Sequence, residues 1–437
     1  MHRSTYGIVA IAGLFAALLA CGCGRGGDAS SDQDKTIRVV RNIGGREGFR
    51  IHFNAWKKAF EGKNPGWKME LVDLGDNDGA ATYKQRIAAD EMPEVIMTWA
   101  LTKFLVDNDV VQPIPDSFYE KYGIPKGTPY KGKQYCSQGG LQFQGMAVNR
   151  KMWASIGVTT PPKTWDEFVG DLRKLKAKGY VPLVYGARDW TGFMPLTMEL
   201  QVNMYDYAPI PGRPSWTAQR NSGKTKFATD PIAQLVMKNM VALMDEFAEK
   251  GALSDGYPEE QRMFYGGKGA TWIMGCWIAG DIEAQKITED IDYWPLPSMV
   301  GRLPAFLEYK NMQSGWAINS KLKGEKLDKA MAVLDAFYDP QVHQLYLNGE
   351  GMFKLATKVP IDGPMSTWPP AQTLFDRMGT ELKQWQGAAG WQLALDDMPP
   401  DSVAWERPMQ EILSGNKDVG KLLQILDEEW DRGRKGQ

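Results

Sequence analysis

Cysteine and histidine are scarce in this chain of 437 residues, which contains four Cys and three His. So few cysteines exclude a disulfide framework, and so few histidines argue against a histidine-rich metal site. Cys136 and Cys276 lie far apart in the sequence and could be bridged or simply buried. Lys and Arg number 51 against 53 Asp and Glu, for a net charge of -2. The chain therefore has no basic field with which to hold nucleic acid.

Motifs of common enzymes and cation sites are also missing. The sequence contains no G-x-S-x-G, H-E-x-x-H or G-x-x-x-x-G-K-[ST] pattern, and its carboxylates form no recognisable hydrolase motif. The acidic stretch 73–79 lacks the spaced ligands and the closing Glu of an EF-hand loop, so we interpret it as a surface turn rather than a calcium site. We expect no catalytic residues, no metal and no cofactor.

The N-terminal segment has the pattern of a targeting sequence. Residues 1–20 combine early basic residues with an apolar run that is too short to span a membrane, so we predict a signal peptide. The run ends in Leu-Leu-Ala before Cys21, which resembles the bacterial lipobox and implies that Cys21 becomes the lipidated first residue of the mature chain. Cys23 is an alternative. Residues 21–35 are rich in Gly, Ser and Asp, and we predict a flexible tether.

Strand and helix patterns alternate through the rest of the chain. Short β-branched or apolar runs predict strands, and apolar residues at helical spacing predict helices. The predicted strands are 36–40, 68–74, 93–97 and 181–185, and the predicted helices are 49–61, 80–89, 101–106, 165–178, 232–249, 327–337 and 419–430. The polar stretch 213–226 predicts a loop. This alternation is typical of an α/β protein with parallel sheets covered on both faces. The length favours two lobes over one core.

Several blocks of sequence resemble those of bacterial extracellular solute-binding proteins that serve sugar importers, the maltose-binding type. The blocks, in family order, are Asn64–Glu70, Met92–Ile96, Met146–Trp153, Gly157–Val158, Pro161–Phe168, Phe264–Ala270, Gly275–Trp277, Trp294–Pro297 and Gly315–Ile318. The chain departs from the family pattern at Glu94, where the family has Asp, and at Val148, where it has Tyr.

The resemblance implies a two-lobed periplasmic-binding-protein type II fold, with discontinuous lobes joined by hinge strands around a central ligand cleft. We expect an N-terminal lobe of 36–145 and 298–352 and a C-terminal lobe of 146–297 and 353–437. The crossings between the lobes are expected near 141–149, near 294–297 and after Gly351.

The same resemblance implies an extracytoplasmic binding protein rather than an enzyme. It would capture a carbohydrate, a di- or oligosaccharide, and deliver it to the permease subunits of an ABC importer. The protein is expected to be monomeric and tied to the membrane by its lipid anchor. A neutral sugar is the first expectation and a uronate-bearing one the second. Two alternatives stay open: a secreted glycan-acting enzyme and a sugar-sensing surface lipoprotein.

Candidate ligand contacts follow from sugar chemistry and from the family's cleft loops. A sugar ring has an apolar face that stacks on an indole, and hydroxyls that bind Asp, Asn and Arg. Trp residues beside polar residues at strand ends and loops are therefore candidates. The predicted ligand contacts are Asn42, Arg46, Trp99, Arg188, Asp189, Trp190, Trp277, Asn311 and Trp316. Other tryptophans fit helix packing better, namely Trp56, Trp153, Trp165 and Trp430.

Overall fold

The structure is a computed structural model. It describes 35–41, 47–74, 80–98, 101–126, 129–204, 216–302, 304, 307–309, 315–361, 363–385, 390–391 and 403–435. The predicted signal peptide and the tether up to residue 34 lie outside these ranges, as do Cys21, Asn42, Arg46, Trp99 and Asn311. Within the described ranges, no helix is both long enough and apolar enough to cross a membrane.

Ten strands and sixteen α-helices are present in the part of the chain that the structure describes. The strands are β1 Thr36–Arg41, β2 Lys68–Asp73, β3 Val95–Met97, β4 Val111–Gln112, β5 Gln142–Asn149, β6 Thr271–Gly275, β7 Ile291–Trp294, β8 Leu307–Tyr309, β9 Trp316–Asn319 and β10 Gly390–Trp391. The helices are α1 Glu47–Lys63, α2 Ala80–Ala88, α3 Thr102–Asp107, α4 Asp116–Tyr122, α5 Arg150–Ser155, α6 Trp165–Ala177, α7 Met194–Asn203, α8 Trp216–Asn221, α9 Pro231–Phe247, α10 Tyr257–Tyr265, α11 Ile278–Ala284, α12 Gly324–Phe337, α13 Pro340–Gly349, α14 Pro369–Trp385, α15 Val403–Leu413 and α16 Val419–Lys435.

The first sheet has the strand order β2-β1-β3-β9-β4. β1 runs parallel to β2 and β3, as predicted, while β9 is antiparallel to β3 and β4. Successive side chains of β1 point to opposite faces. Ile37 and Val39 pack into a core with α1, α4, α12 and α13, and Val40 packs into a second core with α2 and α3. We call this sheet and its six helices the first-sheet half.

The second sheet is built around the long strand β5, and its geometry differs from the prediction. β5 is antiparallel to β6, β7 and β8, and only β10 and β8 are parallel. The unit β6-α11-β7 still alternates strand and helix, but β5 lies between its two strands and runs the opposite way. The sequence pattern of strand, helix and strand predicts a crossover connection, but it does not tell which other strand lies between the two strands that the crossover joins. We call this sheet, with α5–α11 and α14–α16, the second-sheet half.

Two local predictions in the second-sheet half are wrong. The stretch 181–185 forms isolated bridges, Val181 with Gly269 and Val184 with Trp272, instead of a regular strand. The stretch 213–226, predicted as a loop, contains α8, because Trp216 is buried against Phe227 with their ring centroids 4.7 Å apart. Tertiary packing of one tryptophan here outweighs the polar composition of its neighbours.

The chain crosses between the two halves at described positions near two of the three predicted crossings. Ser137 bridges to Trp316 in the first-sheet half, and Leu141 bridges to Phe353 just before β5 begins. The crossing predicted near 294–297 is wrong. After β7 the chain stays at the second sheet, because β8 pairs with β5 at Gln142–Gln144. It rejoins the first sheet only at β9. Residues 307–309 therefore pair outside the lobe predicted for them, and the other lobe boundaries stay predictions.

Burial shows the state of the two cysteines and the role of most of the tryptophans that the sequence analysis assigned to packing. Cys136 and Cys276 are both free and buried. Burial raises the pKa of the Cys136 thiol to about 11. Trp56, Trp153 and Trp430 are fully buried, which confirms their predicted packing role.

Candidate functional site

Three partly exposed aromatic rings from separate elements meet in the second-sheet half. Trp190 begins a 3-10 turn that ends at Phe193, Tyr257 begins α10, and Trp277 directly precedes α11. The ring centroid of Trp190 lies 5.4 Å from that of Tyr257 and 5.7 Å from that of Trp277. The two indoles are inclined at 62°. We call Trp190, Tyr257 and Trp277 the ring cluster; it brings together two of the predicted stacking residues.

Trp277 owes its position to the glycine two residues before it. A Cβ atom on Gly275 would lie 2.0 Å from the indole of Trp277, so only glycine lets this ring fold back against the end of β6. This contact accounts for the G-x-W spacing of the sequence block Gly275–Trp277.

The backbone of Trp277 lies at the junction of the two halves. A Cβ atom on Gly351, which has a φ of +61°, would lie 2.6 Å from the Cα of Trp277 and 2.0 Å from the carbonyl oxygen of Cys276. The neighbouring Glu350 pairs with Arg41 at 2.6 Å, and both side chains are buried. Arg41 ends β1, so this pair joins the carboxyl edge of the first sheet to the segment that touches Trp277.

Charged side chains border the ring cluster on the side of Trp190. Asp189 caps the 3-10 turn by accepting from the backbone N–H of Thr191, and it also accepts from the backbone N–H of Tyr257 at 2.9 Å. Arg188, about half exposed, bonds to Glu259 at 2.7 Å and lies 4.0 Å from Asp189. Hydrogen bonds to the backbone of Gly256 and to Arg262, together with the charge of Arg188, lower the pKa of Glu259 despite some desolvation.

A buried layer supports the rings from below. Glu260, 2% exposed, accepts from the indole N–H of Trp272 at 3.0 Å and contacts the hydroxyl of Thr191 at 3.1 Å. Trp272 stacks on Tyr257 with their centroids 5.6 Å apart and their planes at 29°. The hydroxyl of Tyr257 donates to Asp281 at 2.8 Å. Trp272 and Asp281 thus hold Tyr257 on its buried side, and all three rings of the cluster stay partly exposed.

The structure removes Trp316 from the predicted ligand contacts. Its side chain is fully buried in the core of the first-sheet half, 4.8 Å from Trp56 and 5.8 Å from Phe337 between ring centroids. A ring enclosed by other rings offers no face to a sugar, so we assign Trp316 to packing.

Sequence reasoning named four ligand contacts that the structure brings together, and their contact with a ligand stays a prediction. Arg188, Asp189, Trp190 and Trp277 lie together, while Asn42, Arg46, Trp99 and Asn311 are outside the described residues. It missed the side chains that surround them, which are Thr191, Tyr257, Glu259, Glu260 and Asp281. The one local signal for these was an aromatic residue between Gly256 and Pro258 at a helix start.

Comparison with known proteins gives a family match. Residues 52–344 match the model of the bacterial extracellular solute-binding protein family. Among curated proteins, the diacetylchitobiose binding protein DasA of Streptomyces coelicolor is 22% identical over 338 residues, which span 70% of this chain and 71% of that protein.

Solved structures match the fold over most of the chain. A chitin oligosaccharide binding protein superposes with a TM-score of 0.74 at 21% identity, covering 92% of this chain and 99% of its own. The solute-binding protein RafE in complex with raffinose gives a TM-score of 0.69 at 19% identity, covering 91% and 99%. This likeness confirms the predicted fold class: α/β and two-lobed, of the periplasmic-binding-protein type.

Proposed function

Since this chain belongs to the family of bacterial extracellular solute-binding proteins, and acts outside the cytoplasm as that family does, we propose that it captures a carbohydrate and delivers it to the permease of an ABC importer. The observation that carries this proposal is the ring cluster of Trp190, Tyr257 and Trp277 at the junction of the two halves. Curated relatives of the chain are named as binding proteins and not as enzymes.

The ring cluster has the chemistry that a saccharide requires. Its indoles are inclined at 62°, so they form a corner and can contact two successive sugar rings rather than sandwich one. Asp189, Arg188 and Glu259 border the corner with groups that bond hydroxyls. A di- or oligosaccharide therefore fits better than a single sugar.

The charges at the cluster favour a neutral glycan over a uronate. Arg188 is the cation nearest to Trp190 in sequence, and its guanidinium already bonds Glu259 and faces Asp189. A ligand carboxylate would have to displace these partners and would lie beside two acidic side chains. A neutral ligand has neither cost.

The position of the cluster suits transport as well as capture. Ligand sites often lie between lobes, and hinge closure around a ligand is a known type of motion. Trp277 touches Gly351 in one crossing segment, so a ligand on the ring cluster lies beside a hinge. Closure on the ligand would give the permease a shape that differs from the empty one.

The lipid anchor is the part of the proposal that rests on sequence. The Leu-Leu-Ala-Cys pattern at Cys21 and the polar stretch behind it support attachment to the membrane through a lipidated cysteine and a tether. Mass spectrometry of the protein isolated from membranes would test it: a diacylglyceryl-modified N-terminal peptide starting at Cys21 is expected, and replacing Cys21 by Ser should release the protein from the membrane.

Thermal unfolding against a panel of glycans tests the binding function. The panel would hold diacetylchitobiose, longer chitin oligosaccharides, raffinose, maltose and a uronate-bearing disaccharide. A neutral oligosaccharide at about 100 times its dissociation constant should stabilise the protein by about 2.7 kcal/mol, and the uronate should have a smaller effect.

Three results would count against the proposal. If no glycan shifts the unfolding midpoint, the carbohydrate assignment is wrong. If chromatography of the incubated glycan shows cleavage products, the protein is an enzyme. If the uronate stabilises most, the charge argument from Arg188 is wrong.

A further inference from the structure

The hydroxyl of Thr191 lies between two carboxyl groups beneath Trp190. Its oxygen is 2.9 Å from Oδ1 of Asp189 and 3.1 Å from Oε1 of Glu260. A hydroxyl has one proton to donate, whereas an ionised carboxylate only accepts. If both acids were ionised, one of these two contacts would join an oxygen lone pair to a negative charge. For both contacts to be hydrogen bonds, one acid must hold a proton.

Asp189 is the acid whose partners suit a carboxylate. It accepts backbone N–H bonds from Thr191 at 3.2 Å and from Tyr257 at 2.9 Å, and it faces the guanidinium of Arg188. Glu260 is 2% exposed. A proton on Glu260 lets its O–H donate to Thr191, while the Thr191 hydroxyl donates to Asp189.

The surroundings of Glu260 agree with this assignment. Desolvation and the charge of Asp189 raise the pKa of Glu260 to about 8, against the hydrogen bonds with Trp272, Thr191 and the backbone of Gly186. The titratable groups that face it are Asp189 from the 3-10 turn and Tyr185 from the segment before it. Arg188 pairs with Glu259.

We propose that Glu260 is a positioning residue of the carbohydrate site, which acts as a neutral acid and holds the ring cluster through two hydrogen bonds. One bond goes through Thr191 to the turn that carries Trp190. The other holds Trp272, on which Tyr257 stacks. This inference rests on the proposed function for its ligand, but the arrangement of the rings can be tested without one.

Glutamine is the substitution that isolates the proton. The amide of Glu260→Gln can donate to Thr191 and accept from Trp272, so it copies the neutral acid and not the carboxylate. We expect Glu260→Gln to bind the glycan identified above within about twofold of the unmodified protein at pH 7, because it keeps both bonds. Glu260→Ala and Thr191→Val each break the connection to the turn and should weaken binding about tenfold or more.

The pH profile separates positioning from simple packing. The unmodified protein should bind about tenfold more weakly at pH 9 than at pH 7, since only about one-tenth of Glu260 is then protonated. Glu260→Gln should bind equally over this range. Glu199→Gln serves as the matched control: Glu199 is also buried, with a pKa raised by desolvation to about 8, but its partners are Asn203 and the backbone of Met299. Its substitution should leave the alkaline loss of binding in place.

Tryptophan fluorescence and near-UV circular dichroism supply a readout that needs no glycan. The unmodified protein should show a transition near pH 8 from the environments of Trp190 and Trp272, and Glu260→Gln should lack it. Weak binding by Glu260→Gln at pH 7, a flat pH profile of the unmodified protein, or the same optical transition in both proteins would overturn the proposal. If no glycan binds at all, the proposed function fails, and the optical comparison still decides the role of Glu260.

Discussion

Two pairs of tryptophans, one pair in each half of the molecule, have opposite surroundings. In the first-sheet half, Trp56 and Trp316 are fully buried and pack edge to face with Phe337. In the second-sheet half, Trp190 and Trp277 are partly exposed, and each begins or precedes a short helical element. The same type of side chain therefore packs a core in the first pair and forms a surface in the second.

Ionisable groups follow a parallel division. The first-sheet half buries His52 and His343 among aromatic rings, and desolvation lowers the pKa of both, that of His343 to about 3. The second-sheet half buries Glu199 and Glu260, whose pKa values are raised to about 8. Each half thus buries ionisable groups in their neutral form. Acid should destabilise the first half by protonating its histidines, and alkali should destabilise the second by ionising its glutamic acids. The predictions below test this comparison.

Removing the ring of Trp316 should have the largest effect. Trp316→Ala leaves a cavity beside Trp56 and Phe337 and should lower the free energy of unfolding by about 3–5 kcal/mol. Denaturant unfolding with matched m-values measures it. A loss under about 1 kcal/mol would mean that Trp316 does not support the core, and the ligand role withdrawn above would return.

Neutralising Glu350 should come next. Glu350→Gln leaves the buried guanidinium of Arg41 without its counter-charge, and we expect a loss of about 3 kcal/mol. The control is Glu246→Gln, which breaks the exposed pair with Arg173 and should cost less than about 1 kcal/mol. Equal losses in the two variants would contradict the view that the first-sheet half depends on its buried pair.

Acid should destabilise the protein through its buried histidines. Their pKa values are lowered on folding, so their contribution is intact above the usual value of 6.5 and is lost as the pH falls. Each histidine should cost about 1.4 kcal/mol per pH unit below that point. In His343→Phe the dependence of the free energy of unfolding on pH should be less steep by the contribution of one histidine. An unchanged slope between pH 6 and pH 5 would show that His343 is not the group that charges.

Alkali should produce a smaller change of opposite sign through Glu199. Its pKa is raised on folding, so its contribution is intact below the usual value of 4.5 and is lost as the pH rises to about 8. Its slope should be about 1.4 kcal/mol per pH unit between these two values, and it comes from this one group, whereas two histidines contribute in acid. Glu199→Gln should remove the share of Glu199 and leave that of Glu260. An alkaline slope as steep in that variant as in the unmodified protein would show that Glu199 is not one of the groups that charge.

Local pattern predicted seven helices near their observed bounds, missed the other helices of the described residues, and predicted the sheets only in part; the seven are α1, α2, α3, α6, α9, α12 and α16. Phe49, Phe53, Trp56 and Phe60 recur at helical spacing, and all four are buried on one face of α1. The order of strands around β5 is not a local property, because its neighbours β6 and β7 come more than a hundred residues later in the chain.

The same limit applies to the site. Trp277 was predicted from its family block, Trp190 from its place after the predicted strand 181–185, and both from sugar chemistry. Tyr257, which also contacts Trp190, is 67 residues after it and carried no block of its own. Glu260 could not be found from sequence at all, since its role arises from three-dimensional contacts with Thr191 and Trp272. Trp316 is the opposite case, a residue that sequence reasoning placed in the site and the structure places in the core, because a tryptophan near a strand end can equally well be buried.

The most direct test of the central claim is to titrate the best-binding glycan into Trp277→Ala by calorimetry, with Trp165→Ala as the control. Trp165 is also a partly buried tryptophan of the second-sheet half, but it packs against Phe168 away from the ring cluster. The account predicts that Trp277→Ala weakens binding about tenfold or more while Trp165→Ala stays within about twofold of the unmodified protein. Equal affinities in all three proteins would contradict a carbohydrate site at the ring cluster.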